Sequence, residues 1–244
     1  MRAVPAEGRI FDLTPMQDLV SSRRRLGMNL PTSGSGYERC SCKGRPPLDA
    51  YHLETCKMGG AATRVHNELN AEVVQMFREA GLYASIGGHR LFPGRLPGAK
   101  PIADGFAYGG GRTVVLDTTV RHHLVDPAAT AASPLAAATA GENEKFEQYG
   151  ALCRENGFDM LPAAFVSSGA MGAQLASELK SLGERVAAAS PTGGDPKELA
   201  RAFVERWRTR FSCCLNKAFA SKIAQHSLHF KIPLAFSAPA SPGE

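Results

Sequence analysis

The chain has 244 residues, 43% of them hydrophobic, and a formal net charge of +5. That length suits one well-filled core with appendages, or two small domains. No apolar run approaches the roughly 18 residues of a membrane span, no basic-then-apolar leader opens the chain, and six cysteines are too few for a disulfide scaffold.

The placement of charge says more than its total. Residues 1–66 carry ten Lys/Arg against six Asp/Glu, residues 67–196 ten against fourteen, and residues 197–231 eight against two. Basic ends around an acidic middle are expected if the ends hold a nucleic acid and the middle holds a cation. A basic helix that only keeps a surface soluble is the other reading.

Residues 11–26 suit a short helix, starting near Thr14-Pro15 with Thr14 as N-cap and ending in Arg23-Arg24-Arg25. Residues 31–36 read as a Ser/Gly/Pro linker. Next come Cys40, Cys42, His52 and Cys56, thiolates and an imidazole that suit tetrahedral Zn²⁺ in a loop too small to bury a core. His66 is a substitute for one ligand, and four unrelated loop residues are the plain alternative.

Residues 63–80 have helical spacing, with Val65, Leu69, Val73, Met76 and Phe77 on one face and Gly81 as the stop. Residues 82–92 resemble a first strand, and the turn-rich 93–101 follows. Two strands are expected at 102–108 and 113–120, joined by Gly109-Gly110-Gly111. These runs carry Asp104 and Asp117. A charge in an apolar strand costs several kcal/mol unless it is paired or binds a metal, and two carboxylates facing each other repel. A divalent cation relieves both costs, so the pair reads as an Mg²⁺ site. Water-facing turn aspartates are the alternative, implausible for Asp117 in the middle of Val114-Val115-Leu116-Asp117-Thr118-Thr119-Val120.

Residues 126–141 are Ala/Pro/Ser/Thr-rich and read as a flexible loop. A helix is expected over 142–156, ended by Gly157 and carrying Lys145 and Tyr149 at i and i+4. A strand over 158–166, a helix over 173–189 and a linker over 191–196 come next. A basic helix or helix pair spans 199–228 around Trp207, and the tail from Ser237 reads as disordered. The expected fold class is α/β, a mixed sheet flanked by helices. Its parts are an N-terminal segment 1–36, a zinc-knuckle-like segment 37–66, a core 67–190 and a basic helical extension and tail 191–244.

Taken together, Cys40/Cys42/His52/Cys56, then Arg64-Val65-His66-Asn67, then Lys100-Pro101-Ile102-Ala103-Asp104, Asp117 in Leu116-Asp117-Thr118-Thr119-Val120, and Lys145 with Tyr149 follow one order. Residues 37–182 thereby resemble the restriction-like endonuclease domain at the C-terminal end of site-specific non-LTR retrotransposon polyproteins. The resemblance implies a PD-(D/E)XK nuclease core, with Asp104, Asp117, Lys145 and Tyr149 as its catalytic residues. It implies metal-dependent nicking of DNA at an insertion site, with Mg²⁺ and Zn²⁺ as cofactors. It also implies DNA as partner, retrotransposon RNA as a further candidate partner, no membrane, and a nuclear location. No reverse transcriptase precedes the domain here, so the chain is expected to be part of a polyprotein of that kind or derived from one.

The pattern departs from the family in two places. Pro101 and Asp104 are not adjacent, and Thr119 stands two residues after Asp117 where a lysine is usual. Lys145 is the candidate replacement and Arg121 the reserve. Glu68 or Glu72 would complete a metal shell, or simply face water. Cys153, Cys213 and Cys214 read as small core residues. The rival function is an inert or domesticated zinc-knuckle nucleic-acid-binding protein. An enzyme acting on small phosphates would need a glycine-rich phosphate loop ending in Lys-Ser/Thr, which Gly109–Gly111 does not provide.

Overall fold

The computed structural model describes residues 13–25, 42, 52, 55–57, 60–87, 91–92, 103–122, 133–191 and 193–229. Cys40, the expected linker 31–36, the turn-rich 93–101, residues 123–132 with the first part of the expected loop, and the tail from Ser237 lie outside them. Contacts divide the chain into two units, residues 1–65 with 216–244, and residues 66–215.

In the first unit, α1 spans Pro15–Arg25. Its start is a reciprocal capping box. The Thr14 N–H donates to Gln17 Oε1 at 2.8 Å, and the Gln17 N–H donates to Thr14 Oγ1 at 3.3 Å. Gln17 also reaches Ser221 Oγ at 2.7 Å.

The second unit is α/β. Helix α2 (Ala61–Glu79) enters it and is followed by β1 (Tyr83–Ile86), β2 (Gly105–Gly109), β3 (Arg112–Arg121), α3 (Pro134–Glu155), β4 (Asp159–Val166) and α4 (Ala173–Ala189). The long α5 (Pro196–His229) follows as one continuous helix. The order helix, strand, strand, strand, helix, strand, helix is the one the periodicity predicts. The sheet order is β1-β2-β3-β4, antiparallel except for the parallel β3–β4 pair. Helix α3 is the crossover that a parallel pair requires.

Local chemistry sets the boundaries. The β2–β3 hairpin turns on Gly110 and Gly111, with φ of 64° and 79°, the positive pair of a type I′ turn that matches strand twist. Helices α2 and α3 both end in Schellman motifs. Leu82 N–H donates to Phe77 O and Gly81 N–H to Arg78 O in the first, Phe158 N–H to Cys153 O and Gly157 N–H to Arg154 O in the second.

Three expectations need correction. The first strand, expected over 82–92, ends at Ile86, and Leu91 and Phe92 lie outside any strand. Helix α3 starts at Pro134, eight residues before the predicted Glu142, so residues 134–141 are helical rather than loop. Ser133 caps it, accepting from Ala136 N–H at 3.2 Å, and Pro134 occupies the first helical position. Alanine propensity builds this turn where apolar periodicity is silent. Strand β2 starts at Gly105, so Asp104 precedes the strand instead of lying within it.

Register assigns the two faces of the sheet. Phe106 pairs with Val115, and alternation puts Val115, Asp117, Thr119 and Arg121 on one face, Val114, Leu116 and Thr118 on the other. Helix α3 covers the first face. Its Cys153 clusters with Phe92, Ala103 and Val115, and its Ala138 with Ala164 and Val166. Helix α2 lies on the second, where its Val74 approaches Gly105 and its Asn70 meets Thr118. Trp207 and Phe211 of α5 are buried, and Phe211 packs on Phe165 of β4 with ring centroids 5.2 Å apart.

Candidate functional site

Asp117 sits in the middle of β3 with 4% of its surface exposed, a carboxylate where the strand pattern asks for an apolar residue. Lys145 comes down from α3 and places its Nζ 2.8 Å from Asp117 Oδ1. Burial pushes the Asp117 carboxyl above its usual range, against the pull of Lys145. Burial alone would lower the Lys145 ammonium, but the hydrogen bond and charge of Asp117 hold it above its ordinary value. The ring of Tyr149, one turn further along α3, lies 5.7 Å from Lys145 Nζ.

Asp104 arrives at the same place by a different route. Its N–H donates to Leu116 O at 2.9 Å, which sets it beside Asp117. Ala103, just before it, has a φ of 64° and is buried, a backbone conformation that costs a non-glycine residue about 1 kcal/mol. The Asp104 side chain takes two donors on one oxygen, His66 Nε2 at 2.9 Å and the Thr118 N–H at 2.8 Å. Asn70, a turn below His66 on α2, donates to the Asp104 carbonyl at 3.1 Å and accepts from Thr118 Oγ1 at 3.2 Å. The hydrogen bond with Asp104 raises the His66 pKa to about 9, so the imidazole is protonated at neutral pH.

The four residues expected to be catalytic therefore come together: Asp104, Asp117, Lys145 and Tyr149. The electrostatic picture differs from the expectation. Each carboxylate already has its own cation, Lys145 for Asp117 and His66 for Asp104. Mutual repulsion is balanced by side chains, not left for a metal alone to relieve. His66, offered as a substitute zinc ligand, is instead the partner of Asp104. Glu72 is turned to Arg210 of α5 rather than toward Asp104 and Asp117, and Glu79 pairs with Arg206 at 2.7 Å. Arg121 pairs with Glu144. Cys153 and Cys214 are buried thiols, the latter pushed up to about 12 chiefly by burial, in keeping with core roles.

Sequence reasoning missed Asn70 and the true partner of His66. The signal was present: a His and an Asn at i and i+4 share a side of α2, and Asn70 falls beside Leu69 and Val73, where a buried amide needs partners.

In the first unit, Cys42, His52 and Cys56 could hold a metal ion, with their ligand atoms all within 4.8 Å of one another. Cys42 Sγ lies 3.7 Å from His52 Nε2. A zinc ion at ordinary bond lengths, bound tetrahedrally, separates sulfur from nitrogen by about 3.6 Å. His52 and Cys56 are one helical turn apart, joined by Cys56 N–H donating to His52 O at 2.7 Å, which sets both on one side. The group is compatible with zinc. Among the described residues no helix is long and apolar enough to cross a membrane.

A scan of the chain against models of known protein families finds no match, and a search of curated proteins finds none.

Proposed function

We propose that the protein is a metal-dependent DNA endonuclease with a restriction-endonuclease-like core, a zinc knuckle before it and a basic helical extension after it. One observation carries the reading: a lysine bonded to a buried mid-strand aspartate, with a second aspartate held beside it just before the neighbouring strand. Buried charge of this kind is costly, and such clusters concentrate where chemistry is done.

The donor set fits Mg²⁺, which takes hard carboxylate oxygens; Asp104 and Asp117 would hold it. Bound there, the ion would lower the pKa of a water and polarise the phosphodiester. Lys145 would orient the attacking water and offset charge gathering on phosphorus. His66 and the Thr118 N–H fix the Asp104 carboxylate, and Asn70 fixes its backbone, so Asp104 keeps its place when substrate arrives. Tyr149 packs under Lys145 and narrows its choice of rotamers. The surplus Lys/Arg at the two ends would supply sequence-independent affinity for phosphate. Arg206 and Arg210 contribute less to it, because Glu79 and Glu72 already engage them. The retrotransposon target site, the RNA partner and the nuclear location belong to this same reading.

The test is nicking of a supercoiled plasmid with Mg²⁺ or Mn²⁺ and with chelator. Wild type should nick only with metal, and Asp104→Asn and Asp117→Asn should each abolish nicking while retaining DNA binding. Variants that nick at the wild-type rate would refute the site.

The second reading is a nucleic-acid-binding protein on an inert core. The pairing of His66 and Lys145 with the two carboxylates favours it, since the cluster is charge-balanced from within the chain. Tight, salt-sensitive DNA binding without nicking in either metal would select it.

A further inference from the structure

Helix α3 delivers Lys145 from its middle, and the half that leads up to it is poorly anchored by apolar packing. The buried residues of the helix are Ala138, Gly141, Glu142, Gly150 and Cys153, and Leu135 is 54% exposed. Before Lys145 the seat consists of Ala138, Gly141 and Glu142, whereas beyond it Tyr149, Leu152 and Cys153 join the apolar cluster of Phe92, Ala103 and Val115. Alanine and glycine let a helix approach a sheet closely, but they interlock with nothing and do not set its height.

Glu142 is the one large side chain buried there, at 3% exposure. Its Oε1 accepts the Gln174 N–H at 2.9 Å, and the adjoining backbone N–H groups of Ala173 and Leu175 favour its charged form. Those are the opening amides of α4, whose own N-cap is Gly172 and supplies no side-chain cap. A carboxylate from another helix does that work, at the end of α4 where the macrodipole favours negative charge. The fit has a second, independent signature. A Cβ on Gly172 would overlap the Glu142 carboxyl, with Cδ at 2.6 Å, so only glycine leaves room for the cap. Gly172 is tied in turn to β4, its N–H donating to Ala164 O at 2.8 Å.

We propose that Glu142 is a positioning residue: by capping α4 beside Gly172, it sets the height at which α3 presents Lys145 to Asp117. Lys145 lies three residues further along the helix, a rise of about 4.5 Å, so a shift of α3 at Glu142 carries over to the ammonium. The role in catalysis rests on the nuclease reading above; the role in placing Lys145 does not.

The experiment combines kinetics with amine labelling on the full chain. Glu142→Ala should lower kcat for plasmid nicking by about 10- to 100-fold, the effect of a displacement near 1 Å, with KM for DNA within about twofold. Glu142→Gln keeps an oxygen that accepts from Gln174 N–H, and should stay within about threefold of wild type. Gly172→Ala, which invades the same contact from α4, should reproduce Glu142→Ala. In parallel, acylation of Lys145 by an amine-reactive ester is read by mass spectrometry against exposed Lys197. Labelling should rise several-fold in Glu142→Ala and stay low in Glu142→Gln. If Glu142→Ala does not fold, Glu142→Asp, one methylene shorter, should show both effects at smaller size. A lowered melting temperature with unchanged kcat would leave Glu142 a structural cap and overturn the proposal. If wild type nicks nothing, labelling decides: unchanged protection of Lys145 in the variants overturns the positioning role, and increased labelling sustains it while the nuclease reading falls.

Discussion

The pair of His66 and Asp104 should make stability depend on pH in a calculable way. The hydrogen bond with Asp104 raises His66 from 6.5 to about 9. The folded protein therefore binds this proton more tightly than the unfolded chain does. Its contribution is fully present below the unfolded value and is lost as pH rises through the folded one, so the window runs from about 6.5 to about 9. A shift of that size corresponds to a ceiling of about 3 kcal/mol at 1.36 kcal/mol per pH unit. The side chains are 31% and 26% exposed, and solvent screening lowers the expectation to about 2 kcal/mol. Urea denaturation of wild type and His66→Ala at pH 5.5 and pH 9.5 measures it. Groups common to both proteins cancel in the difference, as does the pH-independent gain of an alanine in a helix. Wild type should exceed the variant by about 2 kcal/mol more at pH 5.5 than at pH 9.5. A flat difference, or an advantage that grows with pH, would refute an ion pair at this position.

Asp117→Asn and Lys145→Ala should each destabilise by about 2 to 4 kcal/mol in urea, since each leaves a buried partner uncompensated. The double variant should cost less than the sum, and strict additivity would show the pair is not coupled. Elemental analysis should find about one zinc per chain, falling sharply on Cys56→Ser; a folded, zinc-free wild type would remove the knuckle. Ser133→Ala should lower stability by about 1 kcal/mol through loss of the α3 N-cap, and no change in the urea midpoint would count against that cap. The dependence of duplex binding on salt should become shallower when residues 197–244 are deleted, each lost phosphate contact removing about 0.9 from the log–log slope; an unchanged slope would leave α5 a packing element around Trp207.

Much of this protein is local in origin, and local chemistry is what a sequence displays. Thr14 and Pro15 announce the start of α1, Gly81 and Gly157 the Schellman ends of α2 and α3, and Gly110-Gly111 the hairpin, because each acts on neighbours within a few residues. The spacing of Lys145 and Tyr149 on one helix, and the isolation of Asp117 in an apolar strand, are likewise legible. The start of α3 was hidden because alanines form helix without marking a face. What only the tertiary structure decided is which distant groups meet. Nothing in the order of residues shows that His66 takes Asp104 and Lys145 takes Asp117, so that two carboxylates expected to repel are each held by a cation. Nor does it show that Glu142 crosses to cap α4 in the space Gly172 leaves. Those pairings depend on register and helix placement, which arise from the packing of the whole sheet, and a buried charge takes whichever partner that packing brings within reach.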